Sequence, residues 1–164
     1  MTRRLQGLPL DPSGSTVQPV LQEPVQLRAR GRLGLPLEIV KRVSWLAGQT
    51  AEVNFALAIL NEPGQIALRS WESEAQPILA ERKRLIQAEE YETLRMLEDR
   101  YRRIQVAKDG RVTLTLTHIL HLGLPVHDDA YVFVSLVGKG IEIMSPAYRD
   151  HQIKRASAAF PDLP

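Results

Sequence analysis

The 164-residue sequence contains no cysteine. That absence excludes a disulfide framework, thiol catalysis, thiolate-held zinc and iron–sulfur ligation together. It fits a reducing compartment. Charge of one sign is also lacking, since 21 basic and 19 acidic residues leave a formal net charge of only +2, too little to argue for nucleic acid by bulk electrostatics. Where the charges sit has to carry any such case. No apolar run approaches the roughly 18–20 residues that cross a bilayer, and Phe55 to Leu60, the longest tempting segment, is strand-sized. Arg3 and Arg4 are followed by Gly7, Pro9, Asp11 and Pro12, where a signal peptide would need a continuous apolar stretch. We therefore expect a soluble cytoplasmic chain without a membrane partner. No phosphate-binding glycine loop, Gly-x-Ser-x-Gly or His-Glu-x-x-His occurs, so no enzyme, cofactor or small-molecule substrate is expected.

What is present suffices for a self-supporting core. The hydrophobic set makes up 44% of the chain and charged residues 24%; a chain near this size hides roughly 68–70% of its unfolded surface. Residues 1–24 carry Pro9, Pro12, Pro19 and Pro24 without apolar periodicity and read as a flexible arm. From Val25 the texture changes. Val25, Leu27, Leu33 and Leu35 read as strand broken at Gly31. Pro36 opens a helix whose Ile39, Val40, Val43, Leu46 and Ala47 share a face, with Gly48 closing it. Strands from Ala51 to Leu60 and Gln65 to Trp71 flank the turn Asn61-Glu62-Pro63-Gly64 and make a hairpin.

Residues 72–103 hold eight acidic and seven basic side chains. Ile78, Leu79, Leu85 and Ile86 share one helical face, and Tyr91, Leu94, Leu97, Tyr101 and Ile104 step by three and four. Two amphipathic helices meeting near residues 87–90 are expected. The first pattern then returns: Ile104, Val106, Val112 and Leu114 form strand interrupted at Gly110, Thr117 to Leu122 form a helix closed by Gly123, and Tyr131–Val137 with Ile141–Ser145 form a second hairpin. The Gly31-Arg32 and Gly110-Arg111 pairs lie 79 residues apart, an internal duplication. Each half alone would expose an apolar sheet face, and pairing them hides both. The chain divides into arm 1–24, first half 25–71, helical insert 72–103, second half 104–150 and a frayed polar tail 151–164.

A glycine inside a strand pattern marks a bend or a close backbone approach, and an arginine directly after it is held on a rigid turn. Between Arg28 and Arg42 there are five basic side chains, Arg28, Arg30, Arg32, Lys41 and Arg42, against one acidic, Glu38. Lys108, Asp109, Gly110 and Arg111 form a weaker second copy. Arginines presented at two related turns suit phosphate contact and guanine readout, because the guanidinium fork matches both. The alternative is that they pair with carboxylates. His118-x-x-His121, followed by His127, Asp128 and Asp129, has a spacing at which two imidazoles can meet one metal. Ordinary surface histidines are the expected reading, and no metal is assigned. Trp45 and Trp71 are expected to pack, with base stacking as the other use.

Gly31-Arg32-Leu33-Gly34-Leu35-Pro36, the hairpin ending Leu68-Arg69-Ser70-Trp71, the two charged helices, and Val106–Arg111 with Gly140–Pro146 together resemble the MraZ family. That resemblance covers roughly residues 25–150. It implies an α+β, mainly β, fold in which two AbrB-like swapped-hairpin halves intertwine into a pseudo-symmetric small β-barrel, with the two-helix insert between them. It further implies a DNA-binding transcriptional regulator, nucleoid-associated, that works as a homo-oligomer lining several arginine turns along one double-stranded DNA. Through the motif come Arg30, Gly31, Arg32, Gly110 and Arg111; the charge pattern adds Arg28, Lys41, Arg42 and Lys108. Arg32 and Arg111 would read bases. Arg28 and Ala107 stand where the family carries an acidic residue four before the arginine, Asp109 replaces a basic residue, Thr115 a proline and Ile119 an arginine. A scaffold that kept its assembly surface but lost its operator, and an antitoxin-like regulator, are the competing readings.

Overall fold

Leu27, Leu33, Val106 and Val112 alternate with exposed neighbours, so each contributes one inward side chain to a shared interior. The computed structural model describes residues 21–159. They run through β1 (Leu21–Arg28), a single 3-10 turn (Ala29–Gly31), β2 (Arg32–Gly34), α1 (Leu37–Val40), β3 (Val53–Leu60), β4 (Gln65–Ser70), α2 (Trp71–Gln87) and α3 (Tyr91–Arg100). After these come β5 (Tyr101–Ala107), β6 (Arg111–Thr113), α4 (Leu116–Leu122), β7 (Ala130–Val137), β8 (Gly140–Met144) and α5 (Pro146–Ala159). All eight strands join in one closed antiparallel barrel in the order β1-β2-β6-β5-β3-β4-β8-β7. The β1–β2 and β5–β6 seams are short, so most of β1 and of β5 keeps one side open.

The interior holds Ala56, Ala58, Ile66, Leu68, Ile104, Val106, Val132, Val134, Ile141 and Ile143, joined by Ile39 of α1 and Ile119 and Leu122 of α4. Fully burying each large aliphatic side chain contributes about 1.5–3 kcal/mol before entropy is charged. A second cluster lies outside the barrel wall: Leu57, Ile59 and Ala67 turn outward and meet Ile78 and Leu85 of α2, Leu97 of α3 and Tyr101. The unbroken apolar run of β3 is explained by this, since a strand covered on both faces has no outward polar positions.

Four expectations are corrected. Residues 21–24, assigned to the flexible arm, belong to β1 and pair with β7 from Leu21↔Leu136 onward; residues 1–20 of that arm lie outside the described residues. Pro24 is tolerated because β2 flanks β1 only at Leu27 and Arg28, so the strand's far side is unpaired at residue 24. The helix after Pro36 is regular only to Val40 and continues as turns, bonded Arg42 N–H to Ile39 O and Leu46 N–H to Val43 O; the β-branched Ile39, Val40 and Val43 disfavour a longer helix. The helical insert ends at Arg100, and Tyr101 to Arg103 open β5. The polar tail is helical through Ala159, held by Arg149, whose guanidinium lies 4.3 Å from the Phe133 ring centre and donates to Gln22 Oε1 at 2.9 Å. Residues 160–164 lie outside the described residues.

Candidate nucleic-acid interface

Both Gly-Arg turns are built by crossed backbone bonds. Gly31 has φ +80° and Gly110 φ +88°, conformations that cost an L side chain but not glycine. Leu114 N–H donates to Gly31 O at 2.8 Å, and Leu35 N–H donates to Gly110 O at 2.9 Å. Each glycine is buried against the strand end of the other repeat: a Cβ on Gly31 would fall well inside the Leu114 carbonyl, and one on Gly110 would lie 3.0 Å from Leu35 O. These glycines therefore place backbone and do not present a surface. Arg30 takes the left-handed region as well, at φ 67°, with its N–H directed at Val126 O, 3.4 Å away.

Past the turns, β2 and β6 pair as Arg32↔Thr113, Leu33↔Val112 and Gly34↔Arg111. Leu33 and Val112 point inward, so Arg32 and Arg111 project outward on a diagonal, with backbones roughly 7–8 Å apart. Gly34 puts no side chain between them. Arg28 lies directly opposite Arg32 across the β1–β2 ladder, and β5 follows on the other side through Val106↔Val112. The outward positions of these neighbouring strands line a groove of about 800 Å³ containing Arg28, Arg32, Arg103 and Arg111, with Gln26 and Gln105 beside them. Among the described residues, no carboxylate lines it.

The four arginines are not equivalent. Arg28 and Arg32 are exposed and have no carboxylate partner among the described residues. Arg111 Nε is 2.8 Å from Asp109, and that hydrogen bond holds the Asp109 carboxyl below its ordinary range. Arg103 lies 4.5 Å over the Phe55 ring and 5.7 Å from that of Trp71, a packing arrangement that orients its fork.

The remaining expected contacts sit outside this groove. Arg30, Lys41, Arg42 and Lys108 are exposed but are not among its lining. Lys41 is 3.8 Å from Glu38, and the Lys108 N–H donates to Glu52 O at 2.9 Å. The basic run from Arg28 to Arg42 is divided in space, because α1 packs on the second turn: the nearest side chain to a Cβ at Gly110 is Val40, at 3.4 Å. The chain matches no protein-family model, and no curated protein matches it significantly.

Arg103 is the residue sequence reasoning missed. Its signal was the alternation of Arg103 and Gln105 with Ile104 and Val106, masked by a helical three-and-four step that runs into the strand. The two histidines of the 118–121 spacing serve separate structural ends. His118 is fully buried rather than on the surface; its Nδ1 accepts the Thr115 N–H at 3.1 Å, and burial pushes its pKa down to about 4. His121 Nε2 instead lies 2.8 Å from Glu62 O and 2.9 Å from Gln65 O, fastening α4 to the β3–β4 turn. Among the described residues no group of three such side chains is placed to hold a metal. No described helix is long and apolar enough to cross a membrane.

Proposed function

We propose that this chain is a sequence-specific DNA-binding transcriptional regulator of the MraZ type, cytoplasmic and nucleoid-associated, acting as a homo-oligomer without catalysis or cofactor. The observation that carries the reading is the groove in which Arg28, Arg32, Arg103 and Arg111 converge, with no carboxylate in its lining among the described residues. Guanidinium forks at fixed spacing, flanked by Gln26 and Gln105, combine phosphate neutralisation with donors and acceptors for base edges. An AbrB-like origin in two swapped-hairpin halves is supported by the pairings. Exchanging β1–β4 with β5–β8 returns the same set: β1–β7 becomes β5–β3, while β2–β6 and β4–β8 map onto themselves. The reciprocal Gly31–Leu114 and Gly110–Leu35 bonds and the Ser70 and Ser145 hydroxyls, each accepting a backbone N–H three residues on, obey the same exchange.

Arg32 is the principal base reader of this proposal and Arg28 its phosphate partner. Selection of bound genomic fragments, followed by gel shift on the enriched sites, tests both. Arg32→Ala is expected to lose about 1–3 kcal/mol on preferred sites and little on others, whereas Arg28→Ala weakens all DNA alike. Unchanged affinity and preference in Arg32→Ala overturns the assignment. One observation favours the scaffold reading instead: Arg111 is already engaged by Asp109. Failure of the protein to be retained on heparin at moderate salt, with self-association intact, decides for the scaffold.

A further inference from the structure

Beside the arginine groove lies a recess of about 480 Å³ lined by Trp45, Phe55, Trp71, Asn54 and Glu72, and the two concavities share Val53 as a common wall. Both tryptophans of the chain therefore face one cavity, and both pack as expected, Trp45 against the barrel core and Trp71 against the cluster under α2 and α3. The Trp45 indole N–H donates to Lys139 O at 2.9 Å, so this ring is fixed from across the barrel. Phe55 is 40% exposed although the Arg103 guanidinium overlies its ring. Arg103 stands at the boundary, lining the groove while its guanidinium overlies the Phe55 and Trp71 rings.

The two concavities offer opposite chemistries side by side. The recess has aromatic faces and hydrogen-bonding groups, with Glu72 in its lining. The groove next to it is cationic. A nucleotide has the same two parts, a planar ring with donor and acceptor edges and a phosphate a few ångströms away. We infer that the recess binds an unpaired nucleobase stacked on Phe55 and Trp71, with its phosphate in the groove beside Arg103. Stacking on aromatic side chains next to a basic track is the general solution for single-stranded nucleic acid, and the recess lies within the roughly 300–1,000 Å³ of small-ligand sites. The inference rests on the groove taking phosphates, as in the proposed function, but requires bases that are out of the duplex.

Intrinsic tryptophan fluorescence reads this site directly, because both tryptophans line it. The full chain is titrated with a single-stranded thymidine and adenosine oligonucleotide, a duplex of matched sequence, and adenosine monophosphate, with gel shift on the duplex in parallel. The expected result is quenching by the single strand at concentrations at least about 10-fold below those the duplex needs. Phe55→Ala should weaken it roughly 10-fold, while Phe55→Tyr restores it. Quenching by adenosine monophosphate as strong as by the oligonucleotide identifies a free nucleotide as the source of the base; quenching by the oligonucleotide alone identifies a strand. Duplex gel shift without quenching by either single strand or nucleotide overturns the inference and leaves the regulator standing. Single-strand quenching without duplex binding does the reverse. Equal quenching by strand and duplex, or loss in Phe55→Tyr as severe as in Phe55→Ala, also overturns it.

Discussion

The two Gly-Arg turns are alike in sequence and in φ, yet their glycines should differ sharply in what they tolerate. Alanine at either position must hold a left-handed backbone, costing about 1–2 kcal/mol. At Gly31 the new methyl also collides with the Leu114 carbonyl, lying 3.0 Å from its carbon and closer still to its oxygen. Relief requires Leu114 to retreat by about an ångström or more, and its N–H is the donor to Gly31 O; a lost buried hydrogen bond adds about 1–3 kcal/mol. Gly31→Ala is therefore expected to cost about 2–5 kcal/mol. At Gly110 the nearest atom, Leu35 O, stands at 3.0 Å, so a shift of a few tenths of an ångström suffices and about 1–3 kcal/mol is expected. Urea unfolding followed by far-ultraviolet circular dichroism measures both, and against a typical total of about 5–15 kcal/mol the difference is well resolved. Were Gly31→Ala to cost no more than Gly110→Ala, the crossed backbone contact would not be the determinant described above.

Asp109→Asn should release Arg111 and strengthen DNA binding at low salt, steepening the plot of log affinity against log salt by roughly 0.9 for one added phosphate contact; an unchanged slope in fluorescence-anisotropy titrations would place Arg111 off the DNA. His118 contributes acid sensitivity of a defined sign. Its folded pKa of about 4 lies below the ordinary 6.5, so the unfolded chain takes up this proton first; stability is full above about pH 6.5 and declines as pH falls toward 4, by about 3 kcal/mol from this group. His118→Gln, which keeps an acceptor for the Thr115 N–H, should flatten that part of the stability–pH profile, and parallel profiles for the two proteins would exclude His118 as the source.

Local features were the most legible. Pro36, Gly48, Gly64 and Gly123 mark element boundaries because their backbone preferences act within a few residues, and the positive φ of Gly64 and Gly123 is the reason glycine stands there. The double occurrence of Gly-Arg was equally plain, since it is a pattern within the sequence itself. Elements whose cause is distant were not. Leu21–Pro24 are strand only because β7 lies alongside them more than a hundred residues later. The last helix is anchored by Tyr148, Gln152 and Arg149 through hydrogen bonds and a ring contact, none of which leaves an apolar period. For the site, the arginine types and turns could be read, but which of them share a groove depends on the β2–β6 register. That pairing joins residues 77 or more apart, so Lys41, Arg42 and Lys108 group with it by proximity in sequence while Arg103 does not.

The interleaving of β1 with β7 also sets a timetable for synthesis. Leu21 pairs with Leu136, so the first strand leaves the ribosome long before its neighbour exists. At roughly 5–20 residues per second, translation of the intervening hundred-odd residues occupies about 5–20 s. Throughout that interval the nascent chain carries unpaired strands whose apolar sides have nothing to lie against. Conditions that slow elongation, or a shortage of chaperones able to shelter an unfinished barrel, should lower the yield of this protein more than that of one assembled from neighbouring hairpins.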